Sequence, residues 1–492
     1  KKKGLLKWAL RSLFTASMVF SVSAEVKKPN VLFLIADDLN TALSGYGHEE
    51  CKTPQLDRLA QQGVKFESMH CQYPICGASR ASIMSGLYPY TNMTLGNGGS
   101  LRKSMPDVVT MSQAFKNQGY YTGRVSKIYH MGIPSEIIEG TAHADDPESW
   151  DEAFNIKAPE QNAAGEKTNW SPGDTGSQAF IGVVSTDGDL EHADGMAADK
   201  AIEILGRVKD KPFFLAVGFV RPHVPLVAPE KYFDLYNRDE MQIPFVPEND
   251  LGDLPNAISG YKSNELYGVT PESHKGLLQA YYASISYMDA QIGRVLDALE
   301  ENGLKDSTIV VFASDHGYLL GEHNKYQKNH LFEEATRVPF IVSVPWMTSE
   351  NGKGTKKFTE LIDLYPTLTD LAGIAAPEGL QGKSLRALLE DTSSEEWSKN
   401  EVFTIARIGG ESLRTEKWRF TQWGFGKSGM ELYDLSNDPG EFTNQAENKE
   451  YAEVVETMKK RLLAKRAEAG YADYINKKSG KKSSKGGGKK NK

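Results

Sequence analysis

Side chains that can bind a metal ion, bind an anion or transfer a proton follow four apolar runs of strand length in this sequence. They are Asp37-Asp38 after residues 31–36, Lys127 and His130 after residues 120–125, His223 after residues 212–218, and Asp315-His316 after residues 308–314. Carboxylate oxygens suit calcium or magnesium, lysine binds anions, and imidazole transfers protons near neutral pH. If the four strands share one sheet, these groups form one reactive centre.

A fifth candidate is Cys76, in the sequence Cys76-Gly77-Ala78-Ser79-Arg80. A helix is predicted over residues 79–85, which places Cys76 near a helix N-terminus, where backbone donors favour an anion. The alternative is a buried thiol that packs as a small hydrophobe. Together with Lys127 and Lys328, Arg80 supplies three cations for the oxygens of one anion.

The elements that must position these groups are strands covered on both faces, because the apolar runs are continuous. In open α/β sheets, ligands gather at the carboxyl ends of such strands. Paired aspartates alone fit a turn or a helix cap equally well, so their position after a strand is what favours metal binding. Asp37, Asp38 and Asp315 are hard oxygen ligands and His316 is a fourth candidate, which keeps zinc and manganese open beside calcium.

Chain length and element pattern predict an α/β protein with one large domain and a smaller one, since 492 residues exceed the size of one growing core. Residues 25–398 alternate strands and helices, and the amphipathic stretch over residues 274–300 is predicted to be a core helix. Residues 399–476 show strands without intervening helices, which predicts a small antiparallel sheet closed by a helix. We expect this sheet and the polar segment 142–178 to shape the pocket.

The two chain ends have distinct compositions. Residues 1–24 combine a basic start, a short apolar run and a small-residue site, which predicts a signal peptide, export to the periplasm or medium, and no stable membrane span; a retained N-terminal anchor is the alternative. Residues 477–492 are rich in lysine, glycine and serine and are predicted to be disordered. Without the five positive charges of the first end and the eight lysines of the second, the net charge of −8 becomes about −21, which argues against nucleic acid as a partner.

Three cysteines leave one over in any disulfide count. Cys51 and Cys71 are available to pair while Cys76 is modified. Spacing does not show the proximity that pairing requires, so this point stays open.

Taken together, these segments resemble the type I, formylglycine-dependent sulfatases of the alkaline phosphatase superfamily, most closely the iduronate-2-sulfatase type and its bacterial relatives. The likeness runs from about residue 29 to 445, with the matching segments in the family's order: residues 29–39, Cys76 to Arg80, residues 126–130, Arg221-Pro222-His223, Ser314-Asp315-His316-Gly317, Gly321-Glu322-His323 and residues 431–434. Ala78 stands where proline is commoner, and His316 replaces the asparagine of many arylsulfatases. The resemblance implies an alkaline-phosphatase-like fold, with a large mixed sheet sandwiched by helices and a smaller C-terminal antiparallel-sheet subdomain.

The resemblance further implies that a formylglycine-generating or sulfatase-maturating enzyme oxidises Cys76 to formylglycine. An aldehyde hydrates to a diol, which no encoded side chain can imitate. The diol is expected on one calcium ion, with magnesium, manganese or zinc as alternatives. The implied metal ligands are Asp37, Asp38, Cys76, Asp315 and His316.

The residues that the resemblance makes catalytic are Cys76, Arg80, Lys127, His130, His223 and Lys328. Arg80 and Lys127 orient the diol, whose oxygen attacks sulfur, while Lys328 and His223 bind the sulfate. His223 or Lys328 protonates the departing sugar oxygen, which is a poor leaving group. His130 removes the second hydroxyl proton, so that sulfate leaves and the aldehyde is restored.

The implied function is a sulfuric ester hydrolase that removes sulfate from a sulfated oligosaccharide or polysaccharide, with a 2-O-sulfated uronate as one candidate unit. Relatives use the same motif on phosphorus, so a phosphonate monoester or phosphodiester hydrolase is the enzymatic alternative. A non-catalytic binder of sulfated glycans is the third hypothesis, and it requires Cys76 to remain unconverted.

Overall fold

The computed structural model describes residues 28–171, 180–255 and 267–485. Residues 1–24, where a signal peptide is predicted, lie outside the described part, as do residues 172–178 of the polar segment and residues 486–492 of the lysine-rich tail. Among the helices of the described part, none is long and apolar enough to span a bilayer.

The strands are numbered in chain order. They are β1 (Asn30–Asp37), β2 (Val64–Phe66), β3 (Met69–His70), β4 (Tyr121–Ser126), β5 (Glu152–Phe154), β6 (Gly165–Asn169), β7 (Ile181–Ser185), β8 (Phe213–Pro222), β9 (Leu226–Pro229), β10 (Thr308–Ser314), β11 (Leu319–Leu320), β12 (Tyr326–Gln327), β13 (Arg337–Val338), β14 (Phe340–Ser343), β15 (Gly354–Thr355), β16 (Thr359–Glu360), β17 (Glu401–Ala406), β18 (Gly410–Thr415), β19 (Trp418–Gln422) and β20 (Met430–Asp434).

The helices are numbered in the same way. They are α1 (Pro54–Gln61), α2 (Cys76–Ser85), α3 (Pro89–Asn92), α4 (Leu101–Ser104), α5 (Met111–Asn117), α6 (Ser135–Glu139), α7 (Ala193–Val208), α8 (Glu230–Phe233), α9 (Pro271–Glu301), α10 (Glu333–Thr336), α11 (Leu364–Leu371), α12 (Arg386–Glu390), α13 (Ala452–Glu468) and α14 (Tyr471–Lys485).

A large mixed sheet organises the described chain, with strand order β15-β2-β14-β10-β1-β8-β4-β5. Strands β10, β1, β8, β4 and β5 run parallel, whereas β14 is antiparallel to both β10 and β2. The four strands from which the sequence predicts the reactive groups are therefore consecutive neighbours. Their carboxyl ends meet at one edge.

Each face of this sheet is covered by helices. Along β1, Leu32 and Leu34 pack into the same core cluster as α7 and α9, whereas Val31 and Phe33 pack into the cluster that contains α5 and α11. Side chains alternate between the faces of a strand, so two cores flank one sheet. Every residue of β1 is buried, which explains why its sequence is a continuous apolar run.

The C-terminal part forms a separate antiparallel sheet of β17, β18, β19 and β20 in that order, with α13 packed on it. The predicted α/β class, with a large sheet between helices and a small antiparallel sheet, is confirmed. Strand β17 is tied to the large domain, since Ile405 N–H donates to Gln72 O at 3.0 Å. Helix α14 extends to Lys485 and thus enters the segment for which the sequence predicts disorder.

All three cysteines are free thiols. Cys51 belongs to the core cluster on one face of the large sheet and Cys71 to the cluster on the other. The Cys51–Cys71 pairing that the sequence leaves open is therefore not formed, because the sheet lies between them.

Candidate functional site

The ends of β1 and β10 bring the predicted carboxylates together. Asp37 is the last residue of β1, and Ala36 pairs in register with Ser314, the last residue of β10. Asp38 adopts a left-handed conformation at φ 63°, which turns the chain sharply at the strand end. Its N–H lies 3.3 Å from Asp315 Oδ1, to which it donates. The acidic pair and Asp315 thus form one buried group.

Cys76 is the first residue of α2 and lies inside this group. Its Sγ is 3.3 Å from His316 Nε2, 3.2 Å from Lys328 Nζ and 4.0 Å from Asp38 Oδ1. Burial disfavours the thiolate, but Lys127, Lys328 and His316 outweigh burial and hold the pKa of Cys76 well below its usual range. The sequence motif and the strand ends therefore converge on one point.

Two overlapping sets of side chains have the ligand atoms for a metal ion within 4.8 Å of one another. The first is Asp37, Asp38, Cys76 and His223, and the second is Asp37, Cys76, Asp315 and His316. Both sets are rich in carboxylate oxygen, the ligand that calcium and magnesium prefer. All five residues that the sequence predicts as metal ligands lie in this one group.

The carboxylates of the acidic pair fit a bound cation. Both oxygens of Asp37 and Oδ2 of Asp38 are buried and accept no hydrogen bond from the described residues, although Lys127 and Arg80 form ion pairs with Asp37. Burial and Cys76 would raise the pKa of Asp37, but Lys127, His223 and Arg80 hold it below its usual range. Buried carboxylates are costly unless enough positive charge lies beside them. The donor set thus suits a divalent ion.

Arg80 binds the strand ends that surround the pocket. Its Nε donates to Asp315 Oδ2 at 2.8 Å, and Nη1 donates to the carbonyls of Lys127 at 2.5 Å and Ile128 at 3.2 Å. Nη2 donates to Ala36 O at 3.3 Å. The sequence predicts that Arg80 binds an anion. In the structure, Arg80 is fully buried, contacts the ends of three strands, orients Asp315 and forms an ion pair with Asp37.

Lys127 and Lys328 each form an ion pair with one member of the acidic pair. Lys127, fully buried, forms an ion pair with Asp37 Oδ2. Lys328 Nζ is 2.5 Å from Asp38 Oδ1 and reaches Cys76. Burial alone would lower the pKa of Lys328, but the charges of Asp38 and Cys76 raise it well above its usual range. The amine of Lys328 therefore stays protonated beside residue 76.

Two imidazoles complete the pocket. His130 lies beside Cys76, and burial, which outweighs the effect of Cys76, lowers the pKa of His130. His223 Nδ1 lies 2.6 Å from Val224 O, so this nitrogen carries the proton that it donates, and Nε2 faces the acidic pair at 3.8 Å from Asp38 Oδ2. Both rings thus lie at the centre, and His223 directs Nε2 at it.

Two further residues of the site have no signal in the sequence. Asn97 Oδ1 accepts the N–H of Gly77 at 2.8 Å, so one backbone donor at the start of α2 is already used. Glu160 binds Arg221, two residues before His223. Asn97 lies in a glycine-rich turn and Glu160 in the polar segment, and neither stretch has a periodicity that predicts its place.

A second group with metal-binding atoms consists of His323, Glu334 and Glu441. Side chains already partner two of its members: His323 Nδ1 is 3.1 Å from Asp250 Oδ2, and Arg419 forms an ion pair with Glu441. Asp250, Glu334 and Glu441 outweigh burial and raise the pKa of His323. In this group, therefore, His323 and Glu441 are already engaged in ion pairs with Asp250 and Arg419.

Comparison with known proteins agrees with the fold. The sulfatase family matches residues 29–374, and the N-sulphoglucosamine sulphohydrolase C-terminal family matches residues 321–468. A sulfatase of Formosa agariphila is 33% identical over 462 residues, which cover 89% of this chain and 87% of that protein. Iduronate 2-sulfatase of Homo sapiens is 30% identical over 502 residues, covering 83% of this chain and 90% of that protein.

Among solved structures, the phosphonate monoester hydrolase of Agrobacterium radiobacter has the same fold, with a TM-score of 0.74 and 23% identity over 90% of this chain and 96% of that chain. The chain therefore has the α/β fold of this structure. The chain belongs to the sulfatase family, and it is a sulfuric ester hydrolase.

Proposed function

We propose that this protein removes sulfate from a sulfated carbohydrate, with residue 76 as the nucleophile after conversion of Cys76 to formylglycine. The observation that carries the proposal is the position of Cys76 Sγ, within 4.0 Å of atoms of Asp38, His316 and Lys328. A metal ligand, an imidazole and a cation thus surround the one side chain that has to attack sulfur. The N-terminal helix position adds a partial positive charge.

A divalent ion, for which we propose calcium, would be held by Asp37, Asp38, Asp315, His316 and residue 76, and would supply Lewis-acid polarisation when bound. The hydrated aldehyde at residue 76 supplies one hydroxyl that attacks sulfur and a second whose deprotonation expels the sulfate. Arg80 contributes by fixing Asp315, and Lys127 by fixing Asp37. Lys328 supplies the positive charge that binds the sulfate oxygens.

His223 is the acid in this proposal. Nδ1 donates to Val224 O, so Nε2 is the nitrogen that faces the centre, and the imidazolium form donates its second proton from Nε2 to the leaving oxygen. Lys328 is less suited to donating a proton, because Asp38 and Cys76 hold its amine in two short contacts. His130, on the side of Cys76, takes the proton of the second hydroxyl. An alkoxide leaving group makes the acid important, since a sugar oxygen leaves poorly unless it is protonated.

For the substrate, we propose a sulfated oligosaccharide or polysaccharide with a 2-O-sulfated uronate as the preferred unit. Support comes from iduronate 2-sulfatase as a relative over most of both chains. We further propose that the protein is exported and that a formylglycine-generating or sulfatase-maturating enzyme acts on Cys76.

Mass spectrometry of the peptide that contains Cys76 tests the nucleophile. Conversion exchanges one sulfur and two hydrogens for one oxygen, so the expected peptide is lighter than the thiol form. A panel of defined sulfated oligosaccharides, with an aryl phosphonate included, tests the substrate class. An unmodified thiol in fully active protein would refute the mechanism. Faster hydrolysis of the phosphonate would favour a phosphonate hydrolase, and binding without turnover would favour a glycan-binding protein.

A further inference from the structure

The loop that carries His223 is held by a buried arginine. Arg221 Nη1 donates to His223 O at 2.6 Å and to Pro225 O at 2.5 Å, so one guanidinium nitrogen spans the turn that contains the imidazole. These two carbonyls lie on either side of Val224, whose own carbonyl accepts the Nδ1 proton of His223. The orientation of the ring therefore depends on where Arg221 sits.

Arg221 is in turn fixed by Glu160. Nη2 of Arg221 lies 2.7 Å from Oε1 and 2.6 Å from Oε2 of Glu160, and both side chains are about 1% exposed. A buried guanidinium requires a charged partner, because desolvation of an unpaired charge is costly. Glu160 comes from the polar segment 142–178, which the sequence associates only with the wall of the pocket.

A second carboxylate holds the backbone just before the turn. Asp194, near the start of α7, accepts the N–H of Val220 at 2.6 Å and the N–H of Arg221 at 3.1 Å. The end of β8 is thus fixed on one side by α7 and on the other by Glu160. Asp194 binds backbone N–H groups before the turn. Glu160 instead holds the guanidinium of Arg221, which donates to the carbonyls of His223 and Pro225.

We propose that Glu160 is a positioning residue for the sulfatase reaction: through Arg221 it holds the His223 ring where its Nε2 proton reaches the leaving oxygen. The inference rests on the proposed function, in which His223 is the acid. Glu160 does not touch substrate. Its loss therefore affects the step that needs the acid and spares reactions whose leaving group needs no proton.

The test compares two substrates in the full-length, formylglycine-bearing protein. In Glu160→Gln, one acceptor remains but the charge is lost, so the turn that carries His223 shifts. We expect kcat to fall about 100-fold on a sulfated sugar that the wild type hydrolyses, the effect of a displacement of about 1 Å. On 4-nitrophenyl sulfate, whose phenolate leaves unaided, the loss is expected to be roughly threefold or less.

The matched control is Glu152→Gln, which removes the carboxylate of an exposed Glu152–Arg207 pair with contacts of 2.6 and 2.7 Å. It is expected to change neither substrate's kcat. Arg221→Lys is a second variant, since an ammonium keeps the charge but cannot span Glu160 and two carbonyls. If Glu160→Gln folds poorly, Arg221→Lys provides the test: its kcat must fall strongly on the sugar sulfate and little on 4-nitrophenyl sulfate.

Equal losses on both substrates, with a lower melting temperature, would assign Glu160 a structural role and overturn the proposal. Unchanged kcat on the sugar sulfate in a folded Glu160→Gln protein would overturn it as well. A wild-type protein without activity on any sulfate ester would instead contradict the proposed function, so the two failures are distinguishable.

Discussion

Arg80 and Asp315 form a fully buried ion pair, with Nε of the guanidinium 2.8 Å from Oδ2 of the carboxylate. The remaining donors of Arg80 reach the carbonyls of Ala36, Lys127 and Ile128. Arg80 therefore connects the ends of β1, β4 and β10 at the point where the candidate metal ligands gather. Burial raises the pKa of Asp315 to about 6, so the carboxylate depends on this partner.

We predict that Arg80→Lys loses stability as well as activity. Lysine keeps the charge but cannot reach Asp315 and three carbonyls at once. Breaking such a buried arrangement costs about 3 kcal/mol, which chemical denaturation can measure. The control is Arg58→Lys in an exposed pair, where Nη1 of Arg58 is 2.6 Å from Asp297 and the change is about 0.5 kcal/mol or less. Equal effects in the two variants would contradict the central role of Arg80.

Metal content separates the two groups of candidate ligands. Asp38→Asn removes a charged ligand from the centre around Cys76, so bound divalent metal is expected to fall well below about one ion per chain. Glu334→Gln alters the group of His323, Glu334 and Glu441, where the imidazole is held by Asp250, and is expected to leave the metal unchanged. Elemental analysis of the purified proteins measures both. Loss of metal in Glu334→Gln alone would place the ion in the other group.

The strand-end carboxylates could be predicted from the sequence for a physical reason. A strand buried on both faces has a continuous apolar sequence, and polar residues that follow it must lie at the sheet edge. Asp37, Asp38 and Asp315 meet both conditions. Cys76 could be placed at a helix start because Ser79 to Ser85 continue as a helix. Local pattern thus predicts which residues reach the edge of the sheet.

The partners of the buried cations could not be predicted in this way. Arg80 has donors that suit an anion, yet they bind backbone carbonyls at the ends of two strands and a carboxylate at the end of a third. Glu160 is 61 residues from Arg221 and lies in a segment without periodicity. Such contacts depend on how separate elements pack, and one sequence contains no record of that packing.

Asn97 provides a test of how closely the glycine-rich turn approaches the nucleophile. A Cβ on Gly77 would lie 2.6 Å from Gly96 O and 2.8 Å from Asn97 Cα, so this turn lies directly against the start of α2. Asn97→Asp keeps the acceptor for Gly77 N–H but adds a negative charge beside an anionic substrate. We expect KM to rise about tenfold, or about 1.4 kcal/mol, with the melting temperature unchanged.

Ser100→Asp is the control for Asn97→Asp, because it adds the same charge three residues further along the chain, at the start of α4. Steady-state kinetics on a sulfate ester measure both variants at one ionic strength, since salt screens such repulsion. Equal KM values for wild type and Asn97→Asp would show that the turn lies too far from the bound anion to affect it.

Asp289 is a buried residue of α9, and its carboxylate accepts the N–H groups of Gln55 and Leu56 at 3.0 and 2.8 Å. We predict that ionisation of Asp289 lowers the free energy of unfolding as the pH rises. Burial raises the pKa of Asp289 from 3.8 to about 7. The folded protein therefore holds this proton more tightly than the unfolded chain. The resulting stabilisation is complete below about pH 4 and is lost as the pH rises to about 7.

Between about pH 4 and about pH 7, the contribution of Asp289 to the free energy of unfolding is expected to fall by on the order of 1 kcal/mol per pH unit. Asp289→Asn cannot titrate, so subtracting its free energy of unfolding from that of the wild type at each pH isolates Asp289 from all other groups. Urea denaturation from pH 4 to 8 gives this difference. It should decrease up to about pH 7 and then level off, because above that pH the carboxyl is ionised in both states. A difference that stays constant over this range would mean that the two amide donors stabilise the carboxylate as strongly as burial destabilises it.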